Sequence, residues 1–239
     1  MFGDQSRLRN GPSGCTSRAA WHSIVLGIEI VRDGRFPSRG LLVSNHLSYL
    51  DILAFSAVSP AVFVSKKEVG AWPLYGWLAR LAGTVFVDRN RFADAYQANL
   101  SMARALSEGS VVVLFPEGTS SDGTAVLPFR AALLEAAITS REPISSAHIS
   151  YAVENGSVEK EICYWGTMSF FPHLLRLMSL RGIRAQVRFA TGAQRFEDRK
   201  VAASATRKLV LTLGNVLSSE QRGFLRVTEP SSQYMSINF

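Results

Sequence analysis

Cysteine and histidine are scarce in this sequence. Cys15 and Cys163 are its two thiols, no C-x-x-C pair occurs, and there are four histidines. That excludes a cysteine-held zinc site and a disulfide scaffold, and it suits reduced thiols in the cytoplasm. Long apolar runs are also missing. A bilayer span needs ~18 uncharged apolar residues, whereas the nearest stretches, 52–65 and 162–175, are shorter and each contains a proline. The first residues, MFGDQSRLRNGPSGC, are polar and glycine-rich, so no secretory signal is expected. Charge is sparse at 19%, and acidic charge is the scarcer kind: 26 Lys and Arg against 19 Asp and Glu leave +7. With 47% hydrophobic residues the chain is not disordered. A basic surface attracts nucleic acid, phosphate-bearing substrates or an acidic lipid leaflet. Nucleic acid is not an expected partner, because no basic run is interleaved with aromatics.

At 239 residues the chain has the size of one domain. Short apolar, β-branched runs at 41–44, 61–64, 84–87 and 111–115 read as strands, with further strands at 144–153 and 183–190. Between the first four lie helical patterns near 48–58, 73–82 and 92–108. Another helix is expected after Pro128, and a last one over 197–217. Continuous rather than alternating apolar strands, separated by helices, predict an α/β fold: one mostly parallel central sheet flanked by helices. The expected divisions are an N-terminal segment 1–24 able to touch a membrane, a main domain 25–217 and a polar tail 218–239.

Three strand ends carry chemistry. After the first comes Ser44-Asn45-His46-Leu47-Ser48-Tyr49-Leu50-Asp51. On a regular helix His46 and Asp51 would point ~140° apart. They can meet only if His46 lies in the turn before the helix and Asp51 in its first turn. Ser48-x-x-Asp51 is a capping-box pattern that would put Ser48 at the N-cap and Asp51 near N3. Asp51 is then a cap, a partner for His46, or both. A carboxylate accepting from one imidazole nitrogen leaves the other to take a proton from a hydroxyl. After the fourth strand, Pro116-Glu117-Gly118-Thr119 opens a polar loop where α/β sheets bind ligands, although an ordinary turn would look the same. Asp88-Arg89 and Lys66-Lys67 follow two further strands, and an arginine there suits bidentate phosphate binding.

Taken together and in order, Asn45-His46-x4-Asp51, Val64-Ser-Lys-Lys-Glu68 with Trp72-Pro73 and Gly76, Phe86-Val-Asp-Arg89 and Phe115-Pro-Glu-Gly-Thr119 form a series. It resembles the 1-acylglycerol-3-phosphate (lysophosphatidic acid) acyltransferase family of glycerolipid acyltransferases, over roughly residues 25–215. The resemblance implies His46 as general base and Asp51 as its orienting partner. It further implies substrate-binding roles for Asn45, Lys66, Arg89, Glu117, Gly118 and Thr119, with Arg89 on the acceptor phosphate. No metal and no cofactor are implied, the acyl donor being acyl-CoA or acyl-carrier protein. Two departures are visible: Ser146 stands where relatives place a proline, and Thr167 where they often have Asp.

The implied reaction is acyl transfer from a thioester to the free hydroxyl of a lysophospholipid, foremost 1-acyl-sn-glycerol 3-phosphate giving phosphatidic acid. Alternatives are a non-phosphate acceptor such as lyso-ornithine lipid, or a silent lipid-binding relative. Expected partners are the two substrates, an anionic membrane surface and acyl-carrier protein; the expected location is peripheral or monotopic on the cytoplasmic face. Backbone N–H groups near Ser48 are expected to face the oxyanion. His22, His148 and His173 carry no catalytic signature. Tyr164, Trp165, Phe170 and Phe171 either pack in the core or line an acyl-chain path or membrane interface.

Overall fold

Strand β3 (Gly40–Ser44) is buried at every position. Leu42 faces one core cluster, while Leu41 and Val43 face the other. The same split recurs in β6 (Val111–Leu114), where Val111 and Val113 look one way and Val112 and Leu114 the other. A strand buried on both faces needs no polar alternation, which is why these runs are uniformly apolar. In the computed structural model residues 21–25, 27–66, 84–87 and 92–228 are described, with side chains at 27–64 and 99–215. The expected helix at 73–82 and Arg89 lie outside the described residues.

The remaining strands are β1 (Trp21–Val25), β2 (Ile28–Asp33), β4 (Val62–Lys66), β5 (Thr84–Val87), β7 (Ile144–Val153) and β8 (Ile183–Phe189). They form one eight-stranded sheet in the order β1-β2-β8-β7-β3-β6-β4-β5. Five pairings are parallel, and the β1–β2 and β7–β8 pairings are antiparallel. Helices α1 (Leu50–Val58) and α4 (Phe170–Ser179) lie on one face. On the other lie α2 (Phe92–Ser107), α3 (Glu135–Thr139) and α5 (Arg199–Thr228). The expected mostly parallel sheet with helical layers is the observed fold.

Three local expectations change. Residues 21–33 form the β1–β2 hairpin, in register from Trp21↔Arg32 to Val25↔Ile28. The expected helix after Pro128 is a 3₁₀ turn, Ala131–Leu134, leading into the short α3. Helix α4 was not expected, because Pro172 interrupts its apolar run. The proline occupies the first turn, where a helix has no use for its N–H.

From β3 the chain runs through α1 to β4 on one side, whereas β7 and β8 add on the other. Neighbouring strands whose connections leave in opposite directions open a crevice at their carboxyl ends. His46 follows the end of β3 directly.

Candidate active site

Past Ser44 the β3 backbone leaves the sheet, while β7 continues. Asn45 spans the opening. Its Nδ2 donates to the Ile149 carbonyl at 2.9 Å, and its Oδ1 accepts from the Ile149 N–H at 2.9 Å. A side-chain amide thus replaces one rung of the ladder. Asn45 is buried with both halves of its amide spent on Ile149, so it shapes the loop rather than touching substrate.

His46 Nδ1 lies 2.8 Å from Asp51 Oδ2. The imidazole is 21% exposed and the carboxylate fully buried. Asp51 Oδ2 also accepts from the N–H groups of Leu47 (2.7 Å) and Ser48 (3.1 Å), and Oδ1 accepts from the Tyr151 hydroxyl at 2.7 Å. Four donors thus replace the water that this buried carboxylate lacks. Its hold on Nδ1–H makes Nε2 the proton-accepting nitrogen. The His46 ring stacks on Phe115 with centroids 4.3 Å apart and a 14° tilt, which fixes its plane.

These contacts correct two expectations. Helix α1 begins at Leu50 behind Tyr49, not behind Ser48, and no side chain caps it. Half of the capping box survives, since Asp51 reaches back to the Ser48 amide. The Leu47 and Ser48 N–H groups are therefore not directed at an oxyanion, because Asp51 claims both.

The loop after β6 closes over His46. The His46 N–H donates to Glu117 Oε1 at 3.2 Å, and the His46 carbonyl accepts from the Ser121 N–H at 2.9 Å. Burial pushes the Glu117 carboxyl up to about 8, against the pull of the His46 and Leu127 amides. Near neutral pH it is therefore mostly protonated. Its Oε2 is buried without a hydrogen-bond partner among the described residues. Gly118 takes φ +75°, and a Cβ there would meet the Arg130 side chain at 2.9 Å. Thr119 is exposed at the mouth of the loop. Lys66 ends β4, and its side chain, like all of Arg89, is outside the described residues. The structure thus gathers Asn45, His46, Asp51, Glu117, Gly118 and Thr119 at one pair of strand ends.

Residues 25–150 match the protein-family description "Acyltransferase". The chain belongs to the acyltransferase family. This acyltransferase is 33% identical over 223 residues to the lyso-ornithine lipid O-acyltransferase of Rhizobium meliloti (strain 1021), covering 85% of this chain and 75% of that one. It is 32% identical over 209 residues to the 1-acyl-sn-glycerol-3-phosphate acyltransferase of Neisseria gonorrhoeae, covering 83% and 82%. The crystal structure of the 1-acyl-sn-glycerophosphate acyltransferase from Thermotoga maritima shares the fold at TM-score 0.53 and 21% identity, over 79% of this chain and 73% of that one.

Two groups around the acyltransferase site escape sequence reasoning. Tyr151 carries no local signal, because it acts on a residue 100 positions earlier. Tyr49 donates to His173 Nδ1 at 3.0 Å, while His173 Nε2 lies 3.1 Å from the Cys163 carbonyl. That carbonyl can only accept, so Nε2 bears a proton; burial pushes the His173 pKa down, which favours the neutral ring with Nδ1 accepting from Tyr49. Tyr164 and Phe170 pack edge-on against Tyr49, with centroids at 5.6 and 5.3 Å. Of the four aromatics left open between core and interface, these two are half-buried and pack against the core. Among the described residues no group of three His, Cys, Asp or Glu is placed to hold a metal ion.

Proposed function

We propose that this enzyme transfers a fatty acyl group from acyl-CoA or acyl-carrier protein to the free hydroxyl of a lysolipid, foremost 1-acyl-sn-glycerol 3-phosphate. The observation that carries this reading is the His46–Asp51 pair, with Nδ1 held at 2.8 Å and the ring open to the crevice. Nε2 takes the proton of the acceptor hydroxyl as its oxygen attacks the thioester carbonyl. The tetrahedral adduct collapses, the C–S bond breaks, and the leaving thiolate recovers the proton from the imidazolium. The acceptor is itself the nucleophile, so no acyl-enzyme forms. A neutral Glu117 beneath the His46 loop adds no negative charge that would repel an anionic acceptor. Arg89 and Lys66 are assigned to the acceptor phosphate.

Relatives named for lyso-ornithine lipid and for 1-acyl-sn-glycerol 3-phosphate match at nearly equal identity. The zwitterionic acceptor is accordingly the second reading. In either case both the acceptor and the product are bilayer lipids, and CoA and carrier-protein thioesters are cytosolic. We place the enzyme peripherally on the cytoplasmic face of an anionic membrane. No described helix is long and apolar enough to cross one.

The deciding experiment offers purified enzyme each acceptor with each donor. His46→Ala should lower turnover by ~10²–10⁴-fold with the circular dichroism spectrum unchanged; near-normal turnover would refute the base assignment. Arg89→Ala should raise KM for the phosphate acceptor alone. An unchanged KM points to the ornithine lipid.

A further inference from the structure

We propose that the outer face of α4 is the membrane-docking surface of this enzyme, inserting into the headgroup region of an anionic bilayer beside the catalytic loop. The idea builds on the lysolipid reading above and names the surface through which the substrate's bilayer is met. Large apolar side chains concentrate on this stretch. Phe171, Leu175 and Met178 are 58%, 68% and 73% exposed, and Trp165, just before the helix, is 37% exposed. The three helical residues stand at i, i+4 and i+7 and so form one stripe. The opposite face of α4 is in the core through His173 and Leu177. A helix that buries one apolar stripe and shows another to water has a second partner to meet.

The residue types around the stripe fit a lipid surface. From Ile162 to Arg184 the sequence has Arg176, Arg181 and Arg184 and no acidic residue. Arg176 and Arg184 are neutralised by Glu161 and Glu29, whereas Arg181 is exposed. Exposed Phe, Leu, Met and Trp bordered by Arg181 are the composition of an interfacial helix, with the apolar stripe among acyl chains and Arg181 at lipid phosphates. The Trp165 indole donates to the Glu159 carbonyl, which keeps the polar edge of its ring satisfied while the apolar part faces out.

Attachment to the catalytic loop gives the placement its purpose. His173, on the inner face of α4, holds Tyr49, three residues after His46. The strand of chain entering α4 donates from the Tyr164 N–H to the Leu47 carbonyl at 2.9 Å. A docked α4 therefore holds the His46 loop at a set height over the bilayer, where a lysolipid hydroxyl can arrive without leaving the membrane.

The test uses the full chain with Cys15→Ser, since Cys163 is fully buried. Met178→Cys carries an environment-sensitive nitrobenzoxadiazole label. Val201→Cys, at an exposed apolar position on the opposite face of the sheet, is the control. Adding phosphatidylglycerol vesicles should brighten and blue-shift the label at 178 but not at 201, and phosphatidylcholine vesicles should do so far less. Phe171→Ser with Leu175→Ser should cut vesicle partitioning by at least ~10-fold with the fold intact. Vesicle binding that leaves the 178 label in water overturns the proposal. A label already buried without lipid overturns it too, its dependence on protein concentration separating a second copy from the chain's own cover. No substrate is present, so an inactive enzyme that still docks would refute the reaction and leave the docking surface standing.

Discussion

Tyr151 and Glu117 show how much of this site depends on groups that touch the catalytic pair rather than the substrate. The Tyr151 hydroxyl is one of four donors on a carboxylate with no access to water. A hydrogen bond to a charged group contributes ~1.5–3 kcal/mol. Tyr151→Phe should therefore lower kcat by about tenfold or more, with little change in acceptor KM; a rise in KM alone would show that Tyr151 binds substrate instead. Glu117 has the opposite character, a carboxyl kept neutral by burial. Its pKa rises from an ordinary 4.5 to about 8, so folded protein binds its proton more tightly than the unfolded chain. The stability it contributes is full below pH 4.5 and is lost as pH climbs toward 8. The neutral isostere Glu117→Gln should flatten that fall. Urea midpoints of variant and parent should diverge in the variant's favour as pH rises from 4.5 toward 8 and run parallel above it, and curves parallel throughout would mean Glu117 is ionised in the native state.

Strand β3 delivers His46, and its first residue shows how little freedom the element has. Gly40 adopts φ +90°, and a Cβ on it would stand 2.3 Å from the Pro143 carbonyl oxygen. The next residue, Leu41, donates to that same oxygen at 2.9 Å. Backbone strain at such a position costs ~1–3 kcal/mol before any clash is counted. Gly40→Ala should lower the urea midpoint markedly, whereas Gly109→Ala, also at positive φ but with open space around it, should pay the strain alone and lose less. Elements of this kind were legible in the sequence where periodicity and end signals agree. The apolar runs at 84–87 and 144–153 match β5 and β7 residue for residue. The hairpin of β1 and β2 was not, because Trp21–Asp33 mixes charge with apolar residues at a sheet edge. Nor was α4, whose proline looks like a breaker until its place in the first turn is known. In the site, the five-residue spacing of His46 and Asp51 could be read directly. The engagement of the Leu47 and Ser48 amides could not, since only geometry tells which acceptor a backbone N–H finds.

Across the whole molecule, the catalytic loop is held by residues remote from it in the chain. Glu117 binds the His46 amide from 71 positions away, Tyr151 reaches Asp51 from 100, Ile149 pairs Asn45 from 104, and His173 meets Tyr49 from 124. These contacts come from β6, β7 and α4, on both sides of β3. Each requires a long loop to close before it returns any stabilisation, which makes non-local parallel sheets slow to form. The active centre accordingly has no existence in a partly folded chain. Helical signal should return early after dilution from denaturant, through α2 and α5, while turnover should reappear only with the slowest phase. Activity then reports completion of the sheet, and a refolding trace in which turnover led the helical signal would contradict it. Seen as a folding problem, Asn45 marks the step at which a finished scaffold becomes an enzyme: until Ile149 arrives, nothing fixes the direction in which His46 points.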